Sequence, residues 1–371
     1  MRTPILQFGT SRFLQAHADL FISEALGRGE ALGPVTVVQS SGDAARARRL
    51  QALAAEGGFP VRIEGIENGR PVRRETRVTS VRRTLTTAGD WSEITRIAVE
   101  EAQLILSNTS ESGWHPQPAD DAPEFRQDMS YPAKLTQLLR ARFRADGVAL
   151  TVMPTELVVQ NGDVLRRRVL ALAGALDPAL VDWIAGEVVF ANSLVDRIVS
   201  EPLEPAGAVA EPYALWAIEA RPGLTLPCRH PAIRLVDNLD RTERLKLHIL
   251  NLGHSYRVSN WLDSGGAGTP LVREIMADAK ARADLESLYQ QEVLPVFAAA
   301  GYDDAPAYMA DTLDRFANPY LAHRLSDIAQ NHAEKLRRRI GLFLDWGAEL
   351  GADAPRPRLR RALARADASL A

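Results

Sequence analysis

Glu243, Lys246, Asn251 and His254 lie together in RTERLKLHILNLGHSY, residues 241–256. At about 100° per residue, with Glu243 as origin, Lys246 falls near about −60°, His254 near about +20° and Asn251 near about +80°. One helix face then carries a carboxylate, an amine, an amide and an imidazole, a set suited to moving a proton and stabilising an oxyanion. Leu245, Ile249 and Leu252 take the opposite side, while Leu247 and Leu250 fall among the polar residues. That mixture predicts a helix buried on most sides with its polar groups facing a cleft. Gly253, unfavourable inside a helix by roughly 1 kcal/mol relative to Ala, is expected to admit a ligand or a backbone. Spacing alone also allows a solvated helix with a Glu243–Lys246 pair.

A second candidate site opens the chain. Phe8, Gly9, Thr10, Ser11, Arg12 and Phe13 follow a first apolar run and begin an amphipathic helix, where a doubly wound fold places a cofactor pyrophosphate. Ser11 stands where a second glycine would be expected and no third follows, so an ordinary strand-to-helix turn reads the same way. The second run ends Val37-Val38-Gln39-Ser40-Ser41, without the acidic residue that binds the ribose of NAD. Ser40, Ser41 and Arg46 could take a ribose phosphate instead, or Arg46, Arg48 and Arg49 could form a solvated helix face. A third run, 104–107, delivers Ser107 and Asn108, with Glu111 beyond, to the carboxyl end where ligands bind; a polar turn has the same composition.

These residues need a scaffold. Apolar runs at 4–8, 35–39, 61–66, 78–82, 104–107 and 150–153 alternate with helical patterns at 13–26, 44–55, 91–102 and 131–143. That rhythm predicts an α/β domain with a doubly wound parallel sheet covered on both faces. After residue 235 the pattern becomes long helices, 241–260, 269–300, 307–316 and 323–350. Residues 187–198 and 209–231 should add strands and connections. The expected division is 1–235, Rossmann-like, and 236–371, mostly helical, with the Pro- and Arg-rich stretch 354–365 a loose tail or short basic helix.

Composition narrows the function classes. The 371 residues are 46% hydrophobic and 25% charged with a net charge of −3, which fits a folded soluble protein and argues against a nucleic-acid surface. The single cysteine, Cys228, excludes an internal disulfide or a cysteine cluster, and the seven histidines show no H-E-x-x-H spacing, so no metal site is expected. No run of about 18 apolar residues and no signal-like leader are present. A cytoplasmic monomer or small homo-oligomer without membrane or nucleic-acid partners is the expectation.

The Lys-x4-Asn-x2-His spacing of Lys246, Asn251 and His254 resembles the signature of the polyol-specific long-chain dehydrogenases, the family of the mannitol dehydrogenases. Other segments are similar in the same order: LQFGTSRFLQAH near the start, SNTSESG at 107–113, PTELVVQNGD at 154–163 with NSLVDRI at 192–198, and RFANPYLAHRLSDIAQN at 315–331. The chain departs from the family at Ser11 and Arg12, where a glycine and an asparagine are usual, and at Gln15, where an arginine is usual.

The resemblance implies a Rossmann-like domain, a helical substrate domain and a site in the cleft between them. It also implies metal-independent hydride transfer between a nicotinamide, NAD with NADP left open, and a secondary alcohol or ketone. Lys246 is then the base, its pKa lowered by desolvation. Asn251 and Asn161 donate to the oxyanion, Glu243 relays the proton to solvent, and His254 orients substrate or lysine. Asp196 and Arg197 would bind substrate hydroxyls, although such a pair is as often structural. Arg315 and His323 are placed at the substrate end, Arg315 suited to a carboxylate. PTELVVQNGD and NPYLAH-x-LSDIAQN are most similar to the branch that interconverts altronate and tagaturonate. A mannitol-type polyol 2-dehydrogenase or a mannonate oxidoreductase is the alternative within the family, and a catalytically inactive nucleotide-binding regulator the alternative outside it.

Overall fold

The computed structural model describes residues 2–42, 50–67, 70–352 and 354–368. In chain order its strands are Ile5–Phe8 (β1), Val35–Gln39 (β2), Phe59–Glu67 (β3), Arg70–Val78 (β4), Val81–Thr86 (β5), Leu104–Ser107 (β6), Leu150–Pro154 (β7), Val188–Phe190 (β8), Ser193–Asp196 (β9), Val199–Pro202 (β10), Ala208–Ala210 (β11), Leu215–Glu219 (β12) and Ile233–Val236 (β13). The runs without polar alternation, β1, β2, β6 and β7, are buried along their whole length, as strands covered on both faces must be. They form the centre of a six-stranded sheet, β5-β2-β1-β6-β7-β8. Every pairing in it is parallel. Chain order reverses between β1 and β6, the switch point at which such sheets bind ligands.

Two expectations at the sheet are corrected. The run at 61–66 lengthens to β3 but joins a second sheet, β10-β11-β3-β4. Its burial alternates residue by residue, so it has one dry face where the central strands have two. The run at 78–82 is split between β4 and β5, because Ser23 Oγ accepts from Thr79 N–H (2.9 Å) and Ser80 Oγ donates to the Asp19 carbonyl (2.7 Å), which fixes a turn there. The strands expected in 187–198 and 209–231 divide among all three sheets, β8 in the first, β11 in the second, and β9 and β12 in a third, β13-β12-β9.

The first helix is also broken, into Arg12–Gln15 and Ala18–Leu26. At the break the buried His17 pairs its Nε2 with the Leu215 carbonyl at 3.0 Å and stacks on Phe13. Asp19, in the next turn, is 1% exposed, and neither of its carboxyl oxygens has a hydrogen-bond partner among the described residues. Burial pushes its pKa up to about 7. Because the folded value lies above the unfolded one, the stability this group contributes is complete below about pH 4 and is lost as pH rises through about 7. Asp19→Asn keeps the shape without the charge. Between pH 4 and pH 8 the parent should therefore lose on the order of 4 kcal/mol relative to the variant, read from urea unfolding; parallel curves would show that Asp19 titrates normally.

The chain divides into two compact units, Met1–Ile63 with Arg73–Leu239, and Glu64–Val72 with Asp240–Ala371. The division is not a single cut, since the tip of the β3–β4 hairpin groups with the helices. In the helical unit Asp240–Leu245 runs on through Lys246–Asn251 into Leu252–Asp263 as one rod. Its core is mostly aliphatic, with Tyr289, Phe297 and Phe343 fully buried in it. Of the two readings of 354–365, a loose tail or a short basic helix, the structure has the helix, Pro357–Ala368. The buried Glu292 carboxylate accepts from the backbone N–H groups of Arg358 and Leu359 and from the Arg358 guanidinium, fastening its first turn.

Candidate active site

At the carboxyl ends of β1, β2 and β6 the first unit holds a cavity of about 420 Å³, lined in part by Gly9, Thr10, Ser11, Arg12, Gln39, Ser40 and Asn108. That size suits a small-molecule site. Gly9 has φ +127°, and a Cβ there would stand 2.5 Å from the Asn108 carbonyl oxygen, so the turn after β1 tolerates only glycine. Ser11 replaces a glycine for a local reason: its Oγ accepts from Leu14 N–H and donates to Asn108 Oδ1, both at 3.2 Å, capping the short helix and tying the two loops together. Helix N-termini leave backbone N–H groups without intrahelical partners. Those donors, the Ser40 hydroxyl, and the apolar Leu50 and Leu53 on the same cavity suit the phosphate, ribose and base of a dinucleotide, while the Gln39 and Asn108 amides on its wall donate to Ser41 and Thr155.

Other residues expected at the cofactor serve as support. Phe8 and Ser107 are fully buried. The Phe8 ring packs 5.4 Å from Tyr131, Phe13 stacks on His17, and Ser107 Oγ donates to Glu156 at 3.0 Å. The Arg12 guanidinium is engaged with the Leu203 and Gly207 carbonyls and with Glu204, which fixes the 203–207 connection. Glu111 lies in a short helical turn, Glu111–Trp114. Arg46 lies outside the described residues. Glu156 escaped the sequence reading: 3% exposed, it accepts from Thr109 N–H and Thr109 Oγ1 as well as Ser107 Oγ, while burial raises its pKa. A glutamate after an apolar strand gives no signal that distinguishes it from a solvated one.

In the helical unit the rod carrying Glu243, Lys246, Asn251 and His254 does not wind uniformly. Residues 246–251 form a π-helical turn, with Leu252 N–H reaching the Leu247 carbonyl in the i→i+5 pattern. Uniform α winding separates Lys246 from Asn251 by about 140°, and i→i+5 winding narrows that separation. Glu243 and Lys246 are partly buried. The Asn251 side-chain amide makes no hydrogen bond among the described residues and remains a free donor. His254 is 4% exposed with Nε2 unpartnered, and its ring lies against Phe316 (4.1 Å) and His323 (4.9 Å). Burial, and then the positive charge of His323, Arg339, Arg315 and Lys335, holds its pKa well below the usual value, so the imidazole stays neutral. Arg315 is 8% exposed. The His323 imidazole is likewise pushed down by burial.

Lys335 and Arg339 were not expected in this group. Their four-residue spacing in EKLRRR was visible, but a solvated helix face has the same pattern. Lys335 Nζ donates to the Ile328 carbonyl at 2.9 Å, and burial lowers the Arg339 pKa to about 10.

Three further candidates are corrected or placed. Both hydrogens of the Asn161 amide are used on the carbonyls of Pro154, Glu156 and Ser193, and its Oδ1 accepts from Gly162 and Ser193 N–H. No donor is left for an oxyanion. Arg197, 9% exposed, donates to the Glu211 and Ala16 carbonyls, a structural clamp rather than a substrate ligand. Asp196, the last residue of β9, is buried beside it at 6% exposure. Among the described residues no group of three or more His, Cys, Asp or Glu side chains is arranged to hold a metal ion, and no helix is long and apolar enough to cross a membrane.

Residues 3–225 match the mannitol dehydrogenase Rossmann domain and residues 238–355 the mannitol dehydrogenase C-terminal domain. An altronate oxidoreductase of Escherichia coli O1:K1 / APEC is 31% identical over 365 residues, covering 91% of this chain and 73% of that protein. An altronate oxidoreductase of Halalkalibacterium halodurans is 29% identical over 377 residues, covering 95% and 72%. Among solved structures, Pseudomonas fluorescens mannitol 2-dehydrogenase, in a ternary complex with NAD and D-mannitol, superposes with a TM-score of 0.79 at 20% identity, covering 99% of this chain and 79% of that one.

Proposed function

From the premise that the chain belongs to the mannitol dehydrogenase family and is an oxidoreductase acting on CH–OH groups of a sugar acid or polyol, we propose that it interconverts altronate and tagaturonate with NAD and without a metal. The observation that carries this reading is the helical unit's polar rod: Lys246 and Asn251 at the two ends of the π turn, with Arg315, Lys335 and Arg339 concentrating positive charge around His254. An anionic substrate suits that surrounding better than a neutral polyol does.

A bound nicotinamide supplies the hydride acceptor or donor; Gly9, Thr10, Ser11, Gln39, Ser40 and Asn108 are the residues that would hold the dinucleotide. NAD is favoured by the relative solved with it. During alcohol oxidation Lys246, as the neutral amine, takes the hydroxyl proton. The Asn251 amide and the resulting ammonium then donate to the oxygen as negative charge develops and collapses to the ketone. Reduction runs the same steps backwards, Lys246 returning the proton. Glu243, about one turn earlier, passes that proton to solvent. His254, neutral and packed between Phe316 and His323, orients without adding charge. Arg315 holds the carboxylate.

The deciding experiment is a matrix of altronate, tagaturonate, mannonate, mannitol, arabinitol and mannitol phosphate against NAD and NADP, followed by NADH or NADPH absorbance. Turnover on altronate with NAD is expected. Nucleotide binding without turnover on any substrate would make the chain an inactive nucleotide-binding regulator. Arg315→Leu should lower kcat/KM for the aldonate by roughly 10- to 100-fold, the range for a lost hydrogen bond to a charged group, with a smaller loss on any neutral polyol turned over. Equal losses on both would make Arg315 structural.

A further inference from the structure

The π turn at 246–251 has Lys246 and Asn251, the proposed base and oxyanion donor, at its two ends, and it is contacted by side chains from elsewhere in the helical unit. Winding that departs from i→i+4 disturbs the hydrogen-bonding of helical carbonyls, and a buried carbonyl needs a partner. The Ile249 carbonyl accepts from Tyr289 Oη at 2.8 Å. The Asn251 carbonyl accepts from Arg339 Nη1 at 3.3 Å, and the same nitrogen donates to Ser255 Oγ at 3.0 Å. His248 Nδ1 in turn lies 3.1 Å from the Arg339 carbonyl. Both partners come from π segments of their own, Tyr289–Val293 and Arg337–Gly341. The space for Tyr289 is built: a Cβ at Gly253 would stand 1.9 Å from its hydroxyl oxygen.

We propose that Tyr289 and Arg339 are positioning residues of the reaction, which keep 246–251 in its wide turn and thereby keep Lys246 and Asn251 closer around the helix than uniform α winding would. The inference rests on the assignment of Lys246 as base. Tyr289 is fully buried, so it acts only through the helix. Burial raises its pKa, and it remains a donor across the working range. Without the two contacts the segment relaxes toward i→i+4 winding, and the amine and amide separate around the helix.

The test uses the full-length enzyme with the substrate on which the parent is active. Tyr289→Phe removes only the donor. It should lower kcat by between roughly 10- and 100-fold, the scale of a misplaced catalytic group, with the KM for the nicotinamide unchanged. The pH midpoint of kcat should move, together with the pH dependence of Lys246 acylation by an amine-reactive reagent, read by mass spectrometry. Arg339→Lys, which keeps the charge and loses the fork, should move the same readouts and decides the matter if Tyr289→Phe does not fold. Lys246→Ala is run alongside. If it is inactive while the folded positioning variants keep the parental kcat, midpoint and labelling profile, the positioning role is overturned and the base assignment survives. If Lys246→Ala itself turns over normally, the base assignment falls and the positioning role with it.

Discussion

Lys246→Ala should lower kcat by about 10²- to 10⁴-fold, the usual contribution of a positioned acid–base group, while nucleotide affinity stays at the parental level. The separation of effects follows from the architecture. The nucleotide-lining residues belong to the unit Met1–Ile63 with Arg73–Leu239, and Lys246 belongs to the other unit. Asn251→Ala should cost about 10²- to 10³-fold, as expected for an oxyanion donor. The two residues serve one oxygen, so the double variant should fall short of the product of the single losses. Glu243→Gln should alter the pH dependence more than the maximal rate, since water can carry part of a relay. Single-turnover kinetics with a fluorescence titration of NADH read both quantities. Near-parental turnover in a folded Lys246→Ala protein would remove this helix from the chemistry.

Gly253→Ala should be the most damaging small substitution in the helical unit. On propensity alone the change is favourable by about 1 kcal/mol. Against it, the new Cβ would lie 1.9 Å from Tyr289 Oη, 3.0 Å from Tyr289 Cζ and 3.1 Å from Phe316 Cε2. Tyr289 is fully buried and Phe316 is 2% exposed, so neither ring has room to retreat. Overpacking of this kind costs about 1–3 kcal/mol, and displacing the hydroxyl leaves the Ile249 carbonyl with the Leu252 N–H but without its side-chain donor, for about 0.5–1.5 kcal/mol more. The steric and hydrogen-bond losses win, and the melting temperature should fall by on the order of 10 °C. Combining Gly253→Ala with Tyr289→Phe removes the atom in closest conflict and should recover part of the loss, a coupling that a thermal-unfolding double-mutant cycle measures. A Gly253→Ala protein as stable as the parent would mean that the close approach is not enforced.

Much of the fold was legible before any coordinates. β1, β2, β6 and β7 read as buried strands because they are short, mostly apolar and uncharged runs alternating with helical patterns, Lys246, Asn251 and His254 were named from type and spacing, and Arg315 from the family resemblance. Asn161 and Arg197 show the limit. An amide and a guanidinium look equally available in any sequence, and whether their donors are consumed depends on carbonyls brought beside them by the fold, those of Ser193 for one and Ala16 for the other. Lys335 and Arg339 were missed for the converse reason, since a basic helix face is written alike whether it meets water or a buried imidazole.

Gly253 and the helix around it divide the two kinds of information most clearly. Hydrophobic periodicity and residue type are local properties, so the sequence by itself determined that residues 241–260 form a helix, that one side packs and that the other carries a carboxylate, an amine, an amide and an imidazole. Local propensity contains no signal for the π turn at 246–251. That turn depends on a tyrosine hydroxyl and a guanidinium distant along the chain to satisfy its carbonyls, and on a glycine to admit the tyrosine. Only the tertiary structure could decide that the backbone between Lys246 and Asn251, about 140° apart on a uniform α-helix, winds more widely than α.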